Sequence, residues 1–165
     1  MAMPVLIRSL MFAMALALVQ GGHAAELSPS EIVKELYRLE LGPKGDMSAE
    51  PLYGFTDVQI QRRLTRSFQR LVTRMMADQR KTGEAILDWD PIADGNGAVP
   101  LNVKIEAMSA SGDKTEIVAK FHIADGERHM VTYRFVREDG AWKIDDIATK
   151  ASDIRDDILK GLGAK

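Results

Sequence analysis

The 165-residue chain has no cysteine. Disulfides, thiolate zinc sites, iron–sulfur clusters and a cysteine nucleophile are therefore excluded. Histidine is almost as scarce: His23, His122 and His129 are all there is. His23 lies in a leader-like segment, and the remaining pair cannot build a histidine triad or a three-histidine metal site. No G-x-S-x-G, H-E-x-x-H, phosphate loop or dinucleotide fingerprint occurs. No cofactor is expected. Charge of one sign is lacking too. A net charge of -2 makes the whole molecule a poor match for nucleic acid. With 45% hydrophobic and 28% charged residues, the composition excludes a disordered, collagen-like or coiled-coil chain.

Long apolar runs are scarce as well. The longest, Leu10 to Val19 (LMFAMALALV), has 10 residues, and crossing a bilayer takes about 20. Arg8 precedes it, and Gln20-Gly21-Gly22-His23-Ala24-Ala25 follows as a small, polar end. This pattern predicts a secretory signal over 1–24, cleaved after Ala24, and a single domain over 25–165. The expected location is the periplasm, or the medium if the protein is secreted. No later run reaches spanning length, so the mature chain is not expected to cross a membrane. About 140 residues can bury one core without staples.

Ser28-Pro29-Ser30-Glu31 opens a helix with a capping box. Ile32, Val33, Leu36 and Leu39 share its apolar face, and Gly42-Pro43 stops it. A polar stretch follows over 42–55. Thr56-Asp57-Val58-Gln59 reads as a second box and predicts a long helix over about 57–81, with Ile60, Leu64, Phe68, Leu71, Val72 and Met75 at helical spacing. Residues 88–100, DWDPIADGNGAVP, read as a loop pinned by Trp89 and Ile92.

From Leu101 the apolar period becomes two. Turn signals at Ser111-Gly112, Asp125-Gly126 and Asp139-Gly140 divide the chain into strands over 101–109, 115–123, 129–137 and 141–148. A helix from Asp153 to Leu162 closes the chain. A one-residue slip inverts the faces of a strand, so the apolar pattern selects the register. A two-residue turn at Asp139-Gly140 sets Arg137 opposite Trp142, Phe135 opposite Ile144, Tyr133 opposite Asp146 and Arg134 opposite Asp145. A three-residue loop over 124–126 sets Phe121, Ala119 and Ile117 opposite His129, Val131 and Tyr133. The first strand then aligns Val103, Ile105 and Ala107 with Phe121, Ala119 and Ile117. One face is apolar, and helices must cover it. The fold class is α+β: N-terminal helices packed on a curved four-stranded antiparallel meander, with a short C-terminal helix.

The order helix, helix, hairpin, hairpin resembles the cystatin-like cone superfamily, also called nuclear-transport-factor-two-like. The local match is the strand Tyr133-Arg134-Phe135-Val136-Arg137, the turn Glu138-Asp139-Gly140 and the run Trp142-Lys143-Ile144-Asp145-Asp146-Ile147. This ending is similar to that of small exported bacterial domains of unknown function. The resemblance covers about 28–162 and implies a cone fold. Members include isomerases, dehydratases, binding modules and assembly factors, so it does not choose among functions.

Three constellations stand out. Asp146 and His129 interrupt the expected apolar face beside Tyr133. Ketosteroid isomerase-like members place carboxylates and a tyrosine in the cone, where an acid works as a general base. This makes Asp146, Tyr133 and His129 the candidates for lyase- or isomerase-like chemistry. The structural alternative makes Asp146 a pin to Tyr133 or to a helix end, and leaves His129 solvated at a strand end. Arg62, Arg66, Arg70 and Arg74 recur at four-residue steps, and no acid occurs from 58 to 77. They form a candidate dock for an acidic partner, against the alternative of a solvated face. Asp88, Asp90, Asp94 and Asn96 are oxygen donors in one loop, but their spacing fails the calcium-loop pattern. The leading expectation is a non-catalytic exported domain that binds a protein or small ligand in the cell envelope.

Overall fold

The computed structural model describes residues 26–46 and 55–163. The expected signal segment lies outside the described residues. Within them run α1 (Pro29–Leu41), α2 (Val58–Gln61), α3 (Arg66–Thr82), β1 (Leu101–Ser111), β2 (Lys114–His122), β3 (Arg128–Glu138), β4 (Ala141–Ala148) and α4 (Ile154–Gly161). The strands form one antiparallel meander in the order β1-β2-β3-β4, which is the expected α+β class.

The start of α1 is as its sequence predicts. Ser28 Oγ accepts from Glu31 N, and Glu31 Oε2 accepts from Ser28 N at 2.7 Å. The long second helix is not continuous. Asp57, rather than Thr56, caps α2 by accepting from Gln59 N at 2.7 Å, and the helix ends after one turn. The chain then runs beside β4. Ile144 N donates to Arg63 O and Thr65 N donates to Ile144 O, each at 2.8 Å. Thr65 starts α3 by accepting from Phe68 N at 3.2 Å. The physical reason lies in the sheet. β4 is an edge strand, and its unpaired backbone groups at Ile144 need partners. Segment 63–65 supplies them at the cost of one helical turn. Ile60 and Leu64 are both fully buried in this broken path, so their spacing cannot distinguish it from a continuous helix. Gly83, in the left-handed region at φ 78°, closes α3 by donating to Gln79 O.

The β2–β3 register is the expected one, with Phe121↔His129, Ala119↔Val131 and Ile117↔Tyr133. The turn Asp139-Gly140 has positive φ at both residues, 52° and 80°, which suits a tight hairpin. Phe135↔Ile144 and Arg137↔Trp142 also pair as expected. Beyond them a bulge changes the register: Arg134 faces Asp146, and Tyr133 faces Ile147. The expected pairs Tyr133 with Asp146 and Arg134 with Asp145 do not form. Strict alternation would put Asp146 in the core and Ile147 outside. The extra residue at Asp145 reverses this, so that Ile144 and Ile147 are both fully buried on the inner face. Burying an isoleucine gains about 2 kcal/mol, whereas an unpaired carboxylate there would cost more than that. In β1, Ile105↔Ala119 and Ala107↔Ile117 pair as expected, and Val103 falls in an irregular stretch between Leu101 and Lys104.

The longer helices pack on the sheet, α1 over β1 and β2, α3 and α4 over β4. Ile32, Val33 and Leu36 of α1 and Phe68, Val72 and Met75 of α3 enter the core. Ile154 and Ile158 of α4 close its far end.

Candidate functional site

Among the described residues, the space between the helices and the sheet is filled by side chains. Phe68, Phe121, Tyr133 and Phe135 are each at most 2% exposed, and Met75 is buried among them. Tyr133 has no free hydroxyl. It donates to Tyr37 Oη at 3.2 Å, and Tyr37 donates to the Ile92 carbonyl at 3.0 Å. The two rings meet edge to face with centroids 6.3 Å apart. Burial pushes both phenols above their ordinary range. They are hydrogen-bonded core groups with no acidity near neutral pH.

Around this pair the loop over 88–97 gathers the remaining inner polar groups. Asp90 Oδ1 accepts from Ile92 N at 2.7 Å, and Oδ2 accepts from Phe55 N at 3.4 Å. The Asp90 and Gly95 backbones pair with each other. Burial raises the Asp90 carboxyl against these hydrogen bonds. Glu40, only 2% exposed, is pushed up to about 8, first by burial and then by the charge of Asp90. Its Oε2 has no hydrogen-bond partner among the described residues. Protonation at neutral pH removes the conflict with Asp90. Asp94 holds His129: Oδ2 accepts from Nδ1 at 2.8 Å, which sets the tautomer with the proton on that nitrogen. The His129 ring stacks on Phe121 with centroids 5.5 Å apart.

The candidate residues therefore sit in different places. His129 is at the edge of the core, with a side chain 13% exposed, and is not solvated at a strand end. Asp146 is on the outer face, and the structure does not bring it together with Tyr133. Its Oδ2 accepts from Arg134 Nη1 at 3.0 Å. Its Oδ1 accepts from Ile147 N at 2.9 Å and from Arg155 N at 3.2 Å. The last contact caps α4 from the sheet, because Asp153, the residue at the N-cap position, makes no side-chain cap and instead pairs with Arg134 at 3.0 Å. Burial raises the Asp146 carboxyl, opposed by these backbone hydrogen bonds and by Arg134.

The arginine series is split. Arg62 ends α2 and Arg66 begins α3. Arg66, Arg70 and Arg74 keep their four-residue step on one helix and are exposed. Arg66 pairs with Asp139, and Arg63 pairs with Glu35 at 2.5 Å. Arg70 and Arg74 have no ion pair among the described residues. In the loop, Ile92 is fully buried and Trp89 packs on the core. Among the described residues no group of three His, Asp or Glu side chains is arranged to hold a metal, and no helix is long and apolar enough to cross a membrane.

Sequence reasoning missed Tyr37, Glu40 and the Asp94–His129 pair. Glu40 had a legible signal: it sits four residues after Leu36 and seven after Val33, inside the apolar stripe of α1. The pairing of Asp94 with His129 spans 35 residues and has no local signature.

Open clefts lie outside the filled interior. One, of 540 Å³, runs beside the 88–97 loop next to Trp89 and Asp90. Another, of 700 Å³, crosses the outer face of the sheet over Lys104, Lys120 and Met130.

No family model matches the chain, and no curated protein matches its sequence. Among solved structures it is similar to a phospholipid-binding protein from Ralstonia solanacearum, in complex with a phospholipid, at 14% identity and a TM-score of 0.29. The overlap covers 80% of this chain and 65% of that one, so the chain spans less than two thirds of that protein's length. A likeness this loose transfers neither fold nor ligand.

Proposed function

We propose that the protein is an exported, non-catalytic binding domain of the cell envelope, built on the cystatin-like cone, which takes a protein or small ligand on its surface. One observation carries the reading: the cone is filled. Tyr133 spends its hydroxyl on Tyr37, while Asp146 caps α4 on the other face of the sheet. An isomerase-like site needs both groups at one open cavity. Export is supported by the apolar run 10–19 with its small polar end, and a core of this size is large enough to do without disulfides there.

The test has two parts. Full-length chain is expressed and the envelope fraction is recovered; its intact mass should begin at Ala25 or Glu26. Purified protein is then titrated with the neutral apolar dye Nile red, and no saturable fluorescence gain is expected from a filled cone. Full-length mass in the cytoplasm would defeat the location. Saturable dye uptake by native protein would defeat the filled-cone reading.

A second reading keeps a specific observation in its favour. Arg70 and Arg74, exposed neighbours on α3 without intramolecular ion pairs among the described residues, suit an acidic partner.

A further inference from the structure

We propose that the outer face of the sheet carries a site for a small organic anion, with a carboxylate or phosphate head between Lys104 and Lys120 and an apolar body over Met130. The proposal deepens the surface-binding reading and rests on it.

The register places the groups. Lys104, Lys120 and Met130 form one cross-strand row, and Leu101, His122 and Arg128 form another. Two lysines directly opposite each other on neighbouring strands repel, and such pairs destabilise a sheet. Glu106 offsets only one of them, accepting from Lys120 Nζ at 2.6 Å. Lys104 and Arg128 have no ion pair among the described residues. Three cations thus share a groove with one acid, in a chain whose net charge is -2.

The other end of the same face is built in the opposite way. There Arg134 meets Asp146 and Asp153, each at 3.0 Å, and Glu116 at 3.6 Å. The fold can satisfy cations on this surface, and at Lys104 and Arg128 it does not. An oxyanion held between Lys104 and Lys120 would relieve their repulsion and make charge-assisted hydrogen bonds.

The shape extends the argument beyond a bare ion. The groove measures 700 Å³, within the range of small-molecule sites, about 300–1,000 Å³. Met130 is 48% exposed in it, an apolar patch beside the cations. Asn102, in the left-handed region at φ 56°, also lines it. The irregularity there lets Leu101 face His122 while Lys104 faces Lys120.

The experiment is calorimetric titration of the mature protein with octyl phosphate and octanoate below their micellar concentrations, beside inorganic phosphate and neutral octyl glucoside. Both octyl anions should bind saturably, and affinity should fall as salt rises. Inorganic phosphate should bind at least about tenfold more weakly, for want of apolar contact. The double variant Lys104→Gln, Arg128→Gln should lose about tenfold or more in affinity for the octyl anions. Glu106→Gln frees Lys120 and should raise affinity, a gain that misfolding does not mimic. No saturable binding, equal binding of octyl glucoside, equal binding of inorganic phosphate, or unchanged affinity in the double variant each overturns the proposal. None of these outcomes alters the mass of the exported chain or the exclusion of dye from the cone, so the two readings fail separately.

Discussion

Glu40 is where the interior gives its clearest energetic prediction. In the unfolded chain its carboxyl loses its proton near 4.5, and in the fold it holds it up to about 8. Between those values the unfolded state binds fewer protons than the native state, so stability falls as pH rises. Below the lower value the contribution is fully present, and above the upper one it is lost. At about 1.4 kcal/mol per pH unit the window has a ceiling of roughly 5 kcal/mol. Relaxation and water penetration discount such figures, and about 2–3 kcal/mol is the expected loss between pH 5 and pH 8. Glu40→Gln keeps the shape, stays neutral and adds an N–H that can face Asp90. Urea melts of both proteins at pH 5, 6.5 and 8 measure the effect. The variant should match the native chain at pH 5 and exceed it by about 2–3 kcal/mol at pH 8. The difference between the two proteins isolates Glu40 from Asp90 and Asp146, whose carboxyls are also raised. A constant gap across the three pH values, or a less stable variant at pH 8, would refute the reasoning, since either means that Glu40 is ionised and well partnered.

Asp146→Ala removes the acceptor for two backbone N–H groups and the partner of Arg134, and should cost about 1–3 kcal/mol. Tyr133→Phe lies on the opposite face, so denaturant melts of the double variant should give additive losses within about 0.5 kcal/mol; strong coupling would restore the pairing that the bulge removes. If α3 docks an acidic surface, replacing Arg66, Arg70 and Arg74 with Gln should weaken binding of polyglutamate and flatten its salt dependence, with little change in Tm. Unchanged binding would leave those arginines as a solvated face.

Where the chain could be read directly, the signal was local. Ser28 and Glu31 specify the start of α1 because both partners of the capping box lie within one turn. The loop before Glu127 was readable because only one length sorts Phe121, Val131 and Tyr133 onto one face. The two departures share a cause: both satisfy backbone or side-chain needs between distant segments. Segment 63–65 breaks the predicted helix to cover the edge of β4, and no spacing within 57–81 encodes that edge. The bulge at Asp145 follows from competition between Ile147 and Asp146 for the interior. The apolar run Ile144, Ile147 with a spacing of three held that information, but alternation by two concealed it. The same slip moves Asp146 from its expected place beside Tyr133 on the inner face to the outer face, where it caps α4, since a one-residue shift exchanges the faces of everything beyond it.

The polar groups of this domain divide by what the fold does with them. Inside, the groups are held by hydrogen bonds or keep a proton. Tyr133 and Tyr37 pass one hydrogen-bond chain to the Ile92 carbonyl, Asp90 is held by backbone N–H groups, and Glu40 keeps its proton. A polar interior of this kind fixes the 88–97 loop against α1 and β3. Asp94 extends the same grip to the rim by holding His129. Outside, the two ends of the sheet differ. Around Arg134 three carboxylates surround one guanidinium, whereas Lys104 and Lys120 face each other with Glu106 alone to offset them. Like charges kept adjacent on a surface that elsewhere pairs its charges lower stability, and proteins tolerate such costs most often where a ligand recovers them. The uncompensated charge that the proposed anion site draws on is therefore on the outer face of the sheet, whereas the interior polar groups are turned toward one another and toward the backbone.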